Sequence, residues 1–123
     1  MYDQPLVIEL LDQIDEAIRR IERRFLGIRE ADDFVRDDDG LDRLDAIAMM
    51  LLAIGENVKR LDKITEGTLL AGYPAIDCPG VKGIRDILAH DYFNIDAEEV
   101  YSIGIKDLQP LKDALRKIRE EIG

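Results

Sequence analysis

The stretch GIRDILAHDYF, residues 83–93, holds the single histidine of the chain. Ile84, Ile87 and Leu88, with Val81 one turn earlier, recur at three- and four-residue steps. At about 100° per residue that spacing builds one apolar helix face. The reading is a helix that starts near Pro79 and ends around Phe93. Arg85, His90 and Tyr92 are surplus to its buried face, so they are the first candidates for chemistry.

The same periodicity extends in both directions. Upstream, Leu44, Ile47, Ala48, Leu51, Leu52, Ile54, Val58 and Leu61 make a broad apolar face on a helix from about Leu41 to about Ile64. Gly55 sits inside it, where glycine costs about 1 kcal/mol against alanine; close approach of another helix is a reason to keep it. Further back, Leu6, Leu10, Ile14, Ile18, Ile21 and Phe25 mark a long first helix with Pro5 in its first turn. Arg19, Arg20, Arg23 and Arg24 form a basic strip on its second half, read as a solvated face balanced by Glu16 and Glu22.

Between these helices, READDFVRDDDG (residues 29–40) reads as a loop or helix boundary closed by Gly40. It is not a calcium loop. Aligned on Gly40, Val35 takes the first ligand position and Ala46 the last, where such loops need oxygen donors. The segment EGTLLAGYPAIDCPG (residues 66–80) is a connector with room for one helical turn. Downstream, Asp96 is a good N-cap with Glu99 three residues on, as in a capping box. Gly104 is expected to break or bend that helix. Leu108, Leu111, Leu115, Ile118 and Ile122 carry a final helix. No strand alternation persists, so the expected fold is all-α: a single domain over residues 1–123, built as an up-down bundle of four to five helices.

Composition limits the function classes. The chain has 123 residues, 46 % hydrophobic and 36 % charged, which suits one globular domain with a real core. Its formal net charge of −10 makes it a poor general binder of phosphate backbones, so any nucleic-acid chemistry must use a local basic groove. Cys78 is the sole cysteine, which suggests a reducing compartment and no internal disulfide. No signal-type segment and no run approaching about 20 apolar residues is present, and the expectation is a cytoplasmic protein. One histidine, one cysteine and scattered carboxylates give no metal-ligand spacing, and there is no glycine-rich phosphate cradle. No cofactor is expected.

The polar cluster has its own geometry. Arg85 and Tyr92 lie nearly two turns apart and share a face if the helix persists. Asp86 and His90 are four apart, so Asp86 is placed to accept a hydrogen bond from His90 and set its tautomer; Asp86 or Glu56 is the alternative ion-pair partner for Arg85. Arg85 and His90 lie about 140° apart around a straight helix. A symmetric dimer packing this helix against its copy would pool two guanidiniums and two imidazoles in one groove. Such a set meets the needs of metal-free RNA cleavage, which requires a base, an acid and positive charge on the phosphorane.

The string RDILAHDY resembles the R-x-x-x-x-H-x-Y motif of HEPN domains, the HepT-like toxin branch in particular. AIGENVKRL (residues 53–61) looks like that branch's Ile-Gly-Glu segment, and FNIDAEEVYSIGIKDLQPLKDAL (residues 93–115) is similar to the segment on the C-terminal side of its motif. The resemblance implies a homodimeric HEPN-like bundle and a metal-independent endoribonuclease, the toxin of a type VII-like toxin–antitoxin pair. Arg85 and His90 would be catalytic, with Asp86 and Glu56 in support. It also implies a cognate minimal nucleotidyltransferase antitoxin that moves AMP from ATP onto Tyr92. The family frequently has Asn after the motif arginine, where this chain has Asp86. The alternative reading is a non-catalytic helical dimerisation module that partners a nucleotidyltransferase or binds nucleotide.

Overall fold

The computed structural model describes residues 3–76, 79–90, 93 and 95–122. Helix α1 spans Gln4–Arg24, α2 Asp38–Ile64, α3 Thr68–Gly72, α4 Pro79–His90, α5 Ala97–Lys106 and α6 Leu108–Ile122, with short 3-10 helices at Ala31–Phe34 and Pro74–Ile76. No strand occurs among the described residues. The all-α reading therefore stands: five substantial helices, with α3 as the single turn expected in the connector.

Cross-helix contacts give the topology. Arg43 near the start of α2 donates to the Arg24 carbonyl at the end of α1, while Asn57 later in α2 donates to Gln13 of α1. The two helices are therefore antiparallel. On the other side of α1, Lys112 pairs with Glu22, and Arg119 bridges Asp12 and Asp15. That order makes α6 antiparallel to α1 as well. Helix α4 packs on α2, and α5 contacts the Ala31–Phe34 turn and α6.

Each element follows from local chemistry. Asp3 caps α1 by accepting from the Leu6 N–H at 3.1 Å, Pro5 lies in the first turn, and Arg23 and Arg24 sit at the negative end of the helix dipole. Val7, Leu10, Leu11, Ile14, Ala17, Ile18 and Ile21 are its buried stripe. They meet Ile47, Leu51, Ile54 and Leu61 of α2 and Leu111, Leu115 and Ile118 of α6 in one core. Glu16 holds Arg19 and Arg20, so half of the basic strip is locally neutralised; Glu22 goes instead to Lys112.

Two glycines behave differently from the expectation. Helix α2 begins at Asp38 rather than about Leu41, because Asp37 is the N-cap and accepts from the Gly40 N–H at 2.8 Å. Gly40 thus lies inside the first turn; a Cβ there would stand 2.2 Å from the Asp33 carbonyl oxygen. Gly104 does not end α5, which runs on to Lys106. A Cβ at 104 would fall 2.1 Å from Cζ of Phe25, so the glycine seats that ring. Phe25 in turn stacks edge-on against Phe34 at 5.5 Å and lies beside Tyr101, whose hydroxyl donates to the Arg29 carbonyl. Asp96 caps α5 as expected, accepting from the Glu98 N–H.

Candidate functional site

Helix α4 carries the polar cluster. It lies on α2 with Val81 and Leu88 buried, and this packing decides where its polar side chains go. The stem of Arg85 crosses Gly55: a Cβ at 55 would meet Arg85 Cδ at 2.9 Å, Cβ at 3.0 Å and Cγ at 3.1 Å. Only the missing side chain of glycine lets the two helices approach there. The arginine side chain is 19 % exposed, so its stem is packed away while its guanidinium reaches the surface.

That guanidinium donates from Nη2 to Oδ1 of Asp86 at 3.1 Å, and the Asp86 side chain is 63 % exposed. Among the described residues the Asp86 carboxylate engages Arg85 and not His90. The i,i+4 spacing that suggested the His90 bond puts the two on one face, but the packing of Arg85 over Gly55 delivers its cation to Asp86 first. An exposed pair of this kind is weak, worth about 0–1 kcal/mol, so the guanidinium can exchange the carboxylate for another anion.

His90 is the last residue of α4 and is exposed. It stands five residues beyond Arg85, about 7.5 Å along the axis and about 140° around it. One copy of the helix does not bring the two groups to one point. Glu56, next to Gly55, is exposed and forms no ion pair among the described residues. Tyr92 and Cys78 lie outside the described residues. Phe93, just past the motif histidine, is 95 % exposed.

Beside Arg85 a cavity of about 220 Å³ opens between α2, α3, the Pro74–Ile76 turn and α4. Lys59, one turn beyond Gly55 on α2, and Lys82 on α4 stand at it together with Arg85. From sequence Lys82 reads first as an exposed lysine, with phosphate attraction as the alternative, and it is exposed; Lys59 was not singled out, although its i,i+4 spacing from Gly55 puts both on one helix face. Among the described residues, no group of three His, Cys, Asp or Glu side chains is placed to hold a metal ion, and no helix is long and apolar enough to cross a membrane.

The family model described as HepT-like, "Ribonuclease HepT-like", matches residues 14–118, a span that contains Gly55, Glu56, Arg85 and His90. The chain belongs to the HepT-like ribonuclease family. It is also similar to a curated protein of Methanocaldococcus jannaschii named "Putative RNase MJ1216", with 31 % identity over 77 residues. The match covers 63 % of this chain and spans 60 % of the length of that relative. No solved structure matches the chain.

Proposed function

We propose that this HepT-like chain is a metal-independent endoribonuclease whose active groove is built by two copies of α4, and that it is the toxin of a toxin–antitoxin pair. The observation that carries the reading is the seating of Arg85 over Gly55. A cation is fixed on a rigid helix at the bundle surface, on the same helix as the exposed His90.

In the dimer the roles divide by chemistry. One His90 accepts the proton of a ribose 2′-hydroxyl as its oxygen attacks the adjacent phosphorus. His90 of the partner subunit donates a proton to the departing 5′-oxygen, leaving a 2′,3′-cyclic phosphate and a free 5′-hydroxyl. An imidazole can either take up or give up a proton in water, so one copy can serve as base and the other as acid. The two Arg85 guanidiniums hold the phosphate in a bidentate way and stabilise the charge that builds on it. The base, the acid and the positive charge all come from side chains, so no metal is needed.

The same reading has a cognate nucleotidyltransferase as antitoxin. The hydroxyl of Tyr92 attacks the α-phosphorus of ATP, pyrophosphate leaves, and the tyrosine carries AMP. A phosphodiester anion two residues from His90 competes with RNA for Arg85 and blocks the groove.

The test is RNA cleavage by the purified chain in EDTA, with sedimentation equilibrium on the same sample. Cleavage by a dimer, absent in Arg85→Ala and His90→Ala, is the expected result. A dimer that binds nucleotidyltransferase but cleaves nothing would instead make the chain a non-catalytic binding module, and a strict monomer would end the composite site. Incubation with the antitoxin and ATP should add the mass of AMP, mapped to Tyr92.

A further inference from the structure

The cavity beside Arg85 combines two features that are rarely left together on so acidic a chain. Its floor is apolar: Val58, Leu70, Ile76 and Val81 line it, with Ile76 and Val81 almost wholly buried. Its charged wall reverses the sign of the molecule: Lys59, Lys82 and Arg85 stand against Asp62 in the lining and Asp86 on the Arg85 guanidinium, three cations to two carboxylates, in a chain of net charge −10. Among the described residues neither lysine enters an ion pair, whereas Arg19 and Arg20 of α1 and Lys112 and Arg119 of α6 are tied to Glu16, Glu22, Asp12 and Asp15.

Cations alone would take any anion. An apolar floor beneath them asks for a ring or hydrocarbon face joined to that anion. At about 220 Å³ the space is smaller than the roughly 300–1,000 Å³ of sites for drug-sized ligands, so it suits one monomer unit and not a helix or a peptide. The Arg85 side chain forms both this wall and the proposed phosphate grip, which puts the ligand next to the reacting phosphate. We infer that the cavity between α2, α3 and α4 is a nucleoside-phosphate subsite, with the phosphate held by Lys59 and Lys82 and the base or ribose laid on the Val58–Leu70–Ile76–Val81 floor.

In the first arm the occupant is a nucleotide of the RNA chain flanking the scissile bond, which rests on the ribonuclease reading. In the second it is a free mononucleotide such as AMP.

The experiment uses the full-length His90→Ala chain, which keeps RNA intact, with and without Lys59→Gln plus Lys82→Gln. Both lysines are exposed, so the fold is expected to survive the change, and circular dichroism checks that it does. Fluorescence anisotropy with a labelled single-stranded RNA hexamer is recorded over a salt series. One phosphate contact on a single strand is worth about 0.7 in the slope of log K against log salt. The double variant should therefore show a slope shallower by about 0.7 if RNA occupies the cavity. Saturation-transfer NMR with AMP reads the free-nucleotide arm, in which the ligand signal is lost in the double variant. A response in either arm supports the subsite and says which source fills it. Unchanged RNA slope together with unchanged AMP signal overturns the inference, as does the absence of binding of both probes to the parent. Lysine-dependent binding by a chain whose wild type cleaves no RNA would defeat the ribonuclease reading and leave the subsite standing.

Discussion

Arg85 of α4 lies across Gly55 of α2, so close that a methyl group on residue 55 would sit 2.9 Å from its Cδ and 3.0 Å from its Cβ. The contact joins residues thirty positions apart and aims the motif arginine. A methyl at 55 gains the helix propensity of alanine over glycine, about 1 kcal/mol. Against this, overpacking costs about 1–3 kcal/mol, and the arginine is blocked at its own Cβ as well as along its stem. Gly55→Ala is expected to lose about 1 kcal/mol in urea unfolding. RNA cleavage should fall by roughly 100-fold, the penalty for displacing a charged group by about 1 Å. Full activity in a destabilised variant would limit Gly55 to packing.

His90 stands exposed at the end of α4, so its removal leaves the core intact. His90→Ala should unfold within about 0.5 kcal/mol of the parent, while cleavage falls by about 10²–10⁴-fold, the range for loss of a general acid–base group. Arg85→Lys keeps the charge but loses the planar fork that grips phosphate at two points, and should also be impaired. Thermal melts and cleavage rates on the same preparations separate the two effects.

Gly104 offers a test of packing against propensity. If it were a helix stop, alanine would extend α5 and stabilise the protein. Because a Cβ at 104 would stand 2.1 Å from the Phe25 ring, Gly104→Ala should instead cost about 1–3 kcal/mol. Urea midpoints for Gly104→Ala, and for the same change in a Phe25→Leu background, check this. The second variant should recover part of the loss, since the ring that collides is gone.

Glu16 predicts a pH effect. Hydrogen bonds from Arg19 and then Arg20 pull its carboxyl down from its ordinary 4.5 to about 2. A carboxyl that is more acidic in the folded state than in the unfolded chain contributes stability above its unfolded pKa and loses it as pH falls toward the folded one. The stability gap between wild type and Glu16→Gln should therefore be open near neutral pH and close between pH 4.5 and about 2. The carboxyl is solvent-exposed, so the gap should also narrow with added salt. Urea unfolding at stepped pH and two salt concentrations measures both trends. A gap that stayed constant through this range would show that the two arginines do not grip Glu16 in solution.

The helices and their buried faces were readable residue by residue because the 3.6-residue repeat is a local property. Asp96 and Pro5 announced helix starts for the same reason: a cap or a ring acts on its own turn. Gly40 was read as closing a loop or helix boundary and lies in the first turn of α2, and Gly104 does not break α5. What they accommodate, the Asp33 carbonyl and the Phe25 ring, arrives from another element. Asp86 was placed beside His90 by spacing along one helix, yet its carboxylate takes Arg85, because α2 beneath the arginine sets the direction of that side chain.

By itself the order of residues determined that this chain is helical, where its apolar stripes run, and that it owns one imidazole, one motif arginine and a nearby tyrosine; each of these depends on chain neighbours within a turn or two. Only the tertiary structure decided that Gly55 makes room for Arg85 and that Lys59, Lys82 and Arg85 stand around one apolar hollow. Those arrangements depend on which helix faces which, and that is settled by burial of the whole core, not by any single segment.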